Sequence, residues 1–238
     1  MIKLFRNIRK NLLNEGKTGK YFKYAIGEII LVVIGILIAL AINNWNEHRK
    51  QKATIYSIYQ IIKEDILVDI TEINSFVNDY ENIRKPAFEA VLNNNLLKEE
   101  YLKHPEYITV LTGFKDFAIN LRGLELLKNQ LNNISVGKQN LASQINIFYN
   151  QHLIEINVAN SELMREFTYN INERKKLPWF SSLYLRNETD EAIDYIIDNP
   201  IEKNRITMYY LVYGIYVQEL KKFKLDGEAI VKQIDAIN

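Results

Sequence analysis

Residues 24–42 form an unbroken apolar stretch, with one charged side chain, Glu28, in nineteen positions. Its greater part, Ile29–Ile42, carries no polar side chain. A helix of this length rises about 28 Å, close to the hydrocarbon thickness of a bilayer. A helix that is apolar on every face lies in lipid or deep inside a large core. The pattern therefore predicts a transmembrane helix over residues 24–43.

Beyond this stretch, Ile, Val and Tyr side chains recur every three or four positions over Ile55–Ile83. This spacing is typical of an amphipathic helix, and Pro86 predicts its end near Lys85. No Pro or Gly lies in Ile42–Arg84, so the membrane helix can continue into this one as a single helix of roughly 60 residues.

The rest of the chain predicts further helices joined by short connections. Short helices are expected after Pro86 and Pro105, and longer ones over about Thr112–Gln130 and Lys138–Lys175. An irregular connection over residues 176–187 follows, and then a short helix that is capped by Asn187 or Thr189 and ends at Ile197. Asn199-Pro200 begins a helix that ends near Lys224, and Asp226 caps a last helix over Gly227–Ile237. The run 208–217 is too short to cross a bilayer and predicts the central buried helix, with a tyrosine-lined ligand pocket as the alternative.

These elements indicate an all-α fold, because no segment shows the alternation of a strand. We expect an N-terminal transmembrane helix that continues into a long helix, followed by an extracytoplasmic antiparallel helical bundle. The predicted domains are a cytoplasmic basic amphipathic tail (1–23), the transmembrane helix (24–43) and a periplasmic helical-bundle domain (44–238).

Charge predicts the orientation of the span. Seven basic side chains precede it, against Glu15, whereas three follow it closely. Segments rich in Lys and Arg stay in the cytoplasm, so the N-terminus is expected there and the large domain in the periplasm, as for a single-pass bacterial inner-membrane protein. The basic residues, expected to contact anionic lipid, are Lys3, Arg6, Arg9, Lys10, Lys17, Lys20 and Lys23. The predicted membrane-interface anchors are Tyr21, Tyr24 and Trp45.

Two other interpretations of the apolar stretch remain open. Ala39-Leu40-Ala41 has the small-x-small form of a signal-peptidase site, although the apolar run and the basic leader are long for a cleaved signal. The second alternative is a buried helix of a soluble protein, which would leave the charge asymmetry unexplained.

Basic charge beside a membrane segment predicts phospholipid rather than nucleic acid as the partner.

One face of the apolar helix predicts a protein contact. Glu28, Gly35, Ala39 and Asn43 share one stripe at 100° per residue. Small residues four apart let two helices approach closely, and polar residues beside them can bond across. We expect this stripe to contact a second copy or another membrane protein. The simpler interpretation is that Glu28 reaches the interface or pairs with a nearby lysine.

Recognisable catalytic chemistry is missing from the sequence. There is no cysteine, and the three histidines, His48, His104 and His152, are far apart. The chain lacks a His-Glu-x-x-His zinc motif, paired Glu-x-x-His motifs, a phosphate-binding Gly loop and a nucleophile elbow. The adjacent acids Glu64-Asp65 indicate a solvated face. No catalytic, metal or cofactor-binding residue is predicted, and the chain is not expected to be an enzyme.

Two segments resemble a family. The leader MIKLFRNIRKNLL and the run KYAIGEIILVVIGILIALAINNWNE are similar to the N-terminal signature of uncharacterised bacterial single-span proteins, and FAINLRGLELLKNQ with LASQINIFYN resembles their middle region. In this chain Arg122 precedes Gly123, and Phe148-Tyr149 replaces a tyrosine pair. The resemblance implies a membrane location, a helical extracytoplasmic domain of unknown function and a source among double-membraned bacteria. It assigns no catalytic residue.

Three classes of function follow. The first is a membrane-anchored periplasmic scaffold or interaction protein that assembles through its transmembrane helix, as a homo-oligomer or with another membrane protein. The second is a sensory or regulatory subunit that binds a ligand or partner and signals through a partner membrane protein. The third is an enzyme without a recognisable motif.

Overall fold

The chain folds into helices throughout the part that the structure, a computed structural model, describes: residues 18–93, 95–130, 139–186 and 188–237. The predicted all-α class is therefore confirmed for these residues. The helices are α1 (Thr18–Asp79), α2 (Lys85–Leu92), α3 (Lys98–Lys103), α4 (Glu106–Thr112), α5 (Arg122–Gln130), α6 (Gln139–Arg174), α7 (Phe180–Arg186), α8 (Asp190–Asp198) and α9 (Pro200–Asp235). The chain divides into two units, Met1–Tyr56 and Ser57–Asn238.

Helix α1 is 62 residues long and contains the whole apolar stretch. Its Ile29–Ile42 segment is exposed. Within the described residues, one helix near the N-terminus is long and apolar enough to cross a membrane. The expectation that the apolar helix continues into the next one is confirmed, because α1 has no break before Asp79.

The predicted end of this helix at Lys85 was wrong. A π-helical turn, Tyr80–Arg84, follows α1, and α2 begins directly after it. The Lys85 N–H donates to the carbonyl of Tyr80, five residues earlier. Pro86 then lies in the first turn of α2, where proline is tolerated. The helical path ends only before Asn93, which is extended.

Helices α6 and α9 run antiparallel along one another and form the centre of the second unit. Near one end Phe148 of α6 meets Phe223 of α9, with ring centroids 4.9 Å apart. At the other end Arg174, the last residue of α6, pairs with Glu202 in the first turn of α9. The antiparallel bundle expected from the sequence is thus confirmed in its central pair.

The tyrosine-rich stretch 208–217 buries one face of α9 in this core. Tyr80 and Tyr213 stack with centroids 5.4 Å apart, and Phe76 meets Tyr216 edge-on at 5.5 Å. The prediction of a buried helix is confirmed for this face. The face of α9 that carries Leu211 is exposed.

The single helix predicted over Thr112–Gln130 was wrong. Helix α4 ends at Thr112, Gly113 is extended, and helix begins again at Arg122. Two side chains bind the carbonyl of Gly113: the Tyr209 hydroxyl donates to it at 2.9 Å and an Arg84 nitrogen at 3.4 Å. Contacts with distant parts of the chain, which helical periodicity cannot reveal, hold this segment open.

The start of α9 agrees with the sequence. Asn199 is the N-cap, and its side chain accepts hydrogen bonds from the N–H groups of Ile201 and Glu202 at 2.9 and 3.1 Å. Pro200 follows as the first helical residue, where proline is favourable.

The predicted break at Asp226 was wrong, because α9 continues to Asp235. Asp226 binds His152 of α6 instead of capping a new helix. Gly227 lies in mid-helix because another helix approaches it closely: a Cβ there would lie 2.9 Å from Cγ2 of Ile66. Gly227, which suggested a helix boundary, is instead a site of close helix packing.

The region after α6 is more regular than predicted. Residues 176–187 were expected to be irregular, yet α7 occupies Phe180–Arg186. Helix α8 begins after Thr189, but the Thr189 side chain makes no capping hydrogen bond. The other proposed cap, Asn187, lies outside the described residues.

Candidate functional site

The predicted contact stripe lies on the exposed surface of α1 within the first unit. Gly35, Ala39 and Asn43 are exposed, and Glu28 is half-buried. A Cβ added at Gly35 would meet nothing within 4 Å. Ala39 and Asn43 line a shallow groove, together with Ile42, Trp45 and Asn46. The geometry leaves room for another helix to approach, and the contact itself stays a prediction.

The predicted membrane anchors fall at the two ends of the apolar stretch. Tyr24 and Trp45 are exposed, and the Arg49 guanidinium lies 5.4 Å from the Trp45 ring centroid, within range of a cation–π interaction. Tyr21 and Lys20 lie in α1. Of the other predicted lipid contacts, Lys23 is exposed, whereas Lys3, Arg6, Arg9, Lys10 and Lys17 lie outside the described residues.

Two carboxylates one turn apart on α1, Asp65 and Asp69, form a buried pair in the second unit. The Gly123 N–H donates to Asp65 Oδ2 at 2.7 Å. Asn120 donates to Asp69 from its backbone N–H at 3.2 Å and from Nδ2 at 2.5 Å. Since the first N–H groups of a helix lack partners within it, this pair caps α5 and the chain before it. The interpretation of Glu64-Asp65 as a solvated face was right for Glu64 and wrong for Asp65.

At Gly123, helix α5 lies close against α1. A Cβ built there would lie 2.6 Å from Cγ1 of Ile62 and 2.9 Å from its Cα and its backbone nitrogen. The last two atoms belong to the backbone of α1, which cannot rotate away as a side chain does. Only glycine therefore brings the α5 N-terminus close enough for Asp65 to reach it.

Burial raises the pKa of two side chains in this cluster, Asp69 and Tyr149. Burial raises the pKa of Asp69 to about 6, although the hydrogen bonds from Asn120 lower it, and the charge of Asp65 raises it further. The hydroxyl of Tyr149, on α6, has no hydrogen-bond partner within the described residues. Burial first, and then the charges of Asp69 and Asp65, raise the pKa of Tyr149. The tyrosine is thus held neutral beside the carboxylates.

A second buried polar cluster joins the ends of α6 and α9. Arg174 and Glu202 are 2% and 0% exposed. Arg174 Nε donates to Glu202 Oε1 at 2.8 Å, and another Arg174 nitrogen donates to the Leu111 carbonyl at 2.5 Å. Arg205 Nε donates to the second carboxylate oxygen at 2.9 Å, and Arg205 also reaches the Tyr195 hydroxyl at 3.3 Å. Both carboxylate oxygens are therefore engaged, as a buried charge requires.

His152 occupies a third buried position, between α6 and α9. Its Nε2 lies 3.0 Å from an Asp226 carboxylate oxygen, and its Nδ1 lies 3.9 Å from Glu155. The imidazole packs against the rings of Phe148 and Phe223, with centroids 4.9 and 5.4 Å away. Within the described residues, no group of three or more His, Asp or Glu side chains is arranged to hold a metal ion.

Sequence reasoning did not identify these buried polar residues. A signal for one cluster was present: Leu163, Asn170 and Arg174 are spaced by seven and four, which places both polar side chains on the apolar face of α6. Asp65 and Asp69 are four apart on the same face as Ile62 and Ile66. In both cases a polar residue on an apolar helix face was the available clue.

Comparison with known proteins gives one match. Residues 28–109 are similar to the family of unknown function DUF6090. The matched region begins within the apolar stretch and ends in α4, so it excludes the capped helix α5 and the central pair α6 and α9. No curated protein and no solved structure matches the chain.

The match is consistent with the resemblance to an uncharacterised family. It covers Glu28 and the stripe that follows it, as well as the capping carboxylates Asp65 and Asp69. A family described as of unknown function transfers no activity to these residues.

Proposed function

We propose that this protein is a membrane-anchored scaffold or interaction protein, with a helical bundle displayed in the periplasm of a bacterium. The observation that carries the proposal is the apolar segment of α1. Its Ile29–Ile42 side chains are exposed, and no aqueous surface tolerates an apolar cylinder of this length. Lipid is the environment that satisfies it.

The charge pattern supports the orientation. Seven basic side chains precede the span and three follow it closely, which favours a cytoplasmic N-terminus. The residues from 44 onward carry 23 basic and 27 acidic side chains, a formal charge of −4 that does not attract polyanions. A periplasmic domain without cysteine also needs no disulfide for its stability.

The packing of the second unit supports an interaction role over a ligand-binding one. The tyrosines proposed as a pocket lining contact other aromatic rings: Phe88 lies 5.8 Å from Tyr209, and Tyr209 lies 5.9 Å from Tyr213, centroid to centroid. The Asp65–Asp69 pair is engaged by backbone N–H groups of the same chain. These side chains build the bundle, and its outer surface remains for contacts with partners.

Assembly of the scaffold is proposed to run through the stripe of Glu28, Gly35, Ala39 and Asn43. We expect Gly35→Ile to weaken self-association of the full-length chain in membranes about tenfold, which corresponds to about 1.4 kcal/mol. The added side chain would hold apart two helix backbones that otherwise pack closely. Energy transfer between labelled copies in vesicles measures the change.

A matched control is Gly27→Ile, because Gly27 lies on another face of the same helix and is equally open. This variant should associate like the unmodified chain. Equal association of both variants and the unmodified chain would reject the stripe as the interface.

A further inference from the structure

Helix α9 has two faces of opposite character. Toward the core, every seventh residue is buried: Ile206, Tyr213, Leu220, Gly227 and Ile234. On the opposite side lies a line of residues that we call the outer seam: Ile201, Asn204, Met208, Leu211, Ile215, Gln218, Lys222 and Leu225. Its five apolar members are between 42% and 68% exposed. Single exposed apolar residues are common on proteins, whereas a line of five along one helix is a candidate contact surface.

The spacing of the outer seam is that of a coiled coil. Its residues alternate at intervals of three and four over four consecutive heptads. This 3.5-residue repeat places side chains at the a and d positions that interlock with a second helix of the same pitch. The occupant that fits the seam is therefore another α-helix.

The residue types favour a second copy of the same helix in parallel orientation. Ile201 and Ile215 stand at a positions, and Leu211 and Leu225 at d positions. β-Branched residues at a with leucine at d favour parallel two-stranded coiled coils. Met208 and Lys222 fill the other a positions and Asn204 and Gln218 the other d positions, and the polar residues among them lower the stability of such a pair.

Charges beside the seam fit the same arrangement. Lys221 and Asp226 stand at g and e positions five residues apart, where a parallel partner would bring the lysine of one chain beside the aspartate of the other. Their side chains are 36% and 55% exposed. Each also has a partner within its own chain, Glu81 and His152 respectively.

We infer that the outer seam is an interface with a second copy of this chain, in which the two α9 helices lie side by side and parallel. The inference goes beyond the proposed function, because the seam belongs to the second unit and shares no residue with the stripe on α1. It provides the bundle with its own means of self-association.

Disulfide trapping in the full-length chain tests the seam, since the natural sequence contains no cysteine. In a parallel pair, equivalent d positions face each other closely enough for a disulfide. We expect Leu211→Cys and Leu225→Cys each to give a covalent dimer when oxidised in membranes. Leu102→Cys is the matched control, because Leu102 is 56% exposed and Leu211 54%, and it should stay monomeric.

The outcomes separate the alternatives. A dimer that forms only between Leu211→Cys and Ile215→Cys chains, with none from Leu225→Cys alone, would overturn the parallel arrangement in favour of an antiparallel one. A monomer at both positions, or an adduct with the mass of another protein, would overturn the seam as a homotypic interface.

A second substitution shows whether seam and stripe act independently. Ile215→Lys should reduce the Leu225→Cys dimer at least tenfold, because it places charge at the centre of the seam. If the dimer persists undiminished, the seam is not the interface. If Gly35→Ile fails to change association while the Leu211→Cys dimer still forms, the stripe is wrong and the seam stands.

Discussion

Replacing Arg174 with methionine should lower the free energy of unfolding of the second unit by about 3–5 kcal/mol, the usual cost of breaking a buried ion pair from one side. Glu202 would keep Arg205 but lose its contact with Arg174 Nε at 2.8 Å, and the Leu111 carbonyl would lose its donor. Methionine preserves much of the buried volume, so the effect is mainly electrostatic. Denaturant unfolding of the purified chain, followed by circular dichroism, measures it.

Arg165→Met is the matched control. Arg165 also pairs with a glutamate, Glu162, but their side chains are 60% and 44% exposed, and such pairs contribute at most about 1 kcal/mol. Both substitutions remove one guanidinium from α6. Equal losses in the two variants would contradict the view that the Arg174–Glu202 pair holds the ends of α6 and α9 together.

Replacing Gly123 with alanine should destabilise the second unit by about 1–3 kcal/mol, the typical cost of overpacking. The new methyl group would lie 2.9 Å from backbone atoms of Ile62, so the N-terminus of α5 must move away from α1. This movement also stretches the 2.7 Å hydrogen bond from the Gly123 N–H to Asp65. We expect the thermal midpoint to fall by about 3–10 °C.

Gly27→Ala controls for the change of residue type, because a Cβ at Gly27 meets nothing within 4 Å. Its midpoint should stay within about 1 °C of the unmodified chain. A Gly123→Ala variant as stable as this control would show that α5 does not need its close approach to α1.

Local pattern predicted most of the helices but not the long-range contacts that interrupt or extend them. The spacing of apolar residues indicated α6 to within a few residues, and it indicated the continuous helix α1 but not where that helix ends. Pro86 did not end the helix, because a π-helical turn moved it into a first-turn position. Gly227 did not start a new helix, because it lies in mid-helix, where the lack of a side chain lets Ile66 pack closely against it. In both cases the same residue type has two uses, and only the packing decides between them.

The buried polar clusters were harder to predict than the helices. A carboxylate on an exposed face and one that caps a distant helix look alike in sequence, as Glu64 and Asp65 do. The capping of α5 depends on residues about 58 positions apart, from Asp65 to Gly123. No local rule connects them. The expected contacts of the apolar helix with lipid and with other helices involve molecules outside the chain, and they stay predictions.

The two proposed association surfaces, the stripe on α1 and the outer seam of α9, would act in different parts of the chain. The stripe on α1 would bring copies together within the membrane, and the outer seam of α9 would join their bundles. Confinement to one membrane would raise the effective concentration of neighbouring chains, so that a weak seam would be enough to join them. Such an arrangement fits a scaffold that presents paired bundles to its surroundings.

The most direct test of this account is cysteine labelling of the full-length chain in intact bacterial cells with a maleimide that enters the periplasm but cannot cross the inner membrane. We expect Leu185→Cys, whose side chain is 83% exposed, to be labelled on a band of 28.0 kDa, and Lys17→Cys to be labelled only after the inner membrane is broken. Protection of Leu185→Cys, labelling of Lys17→Cys in intact cells, or a mature chain that begins at Ile42 would contradict it.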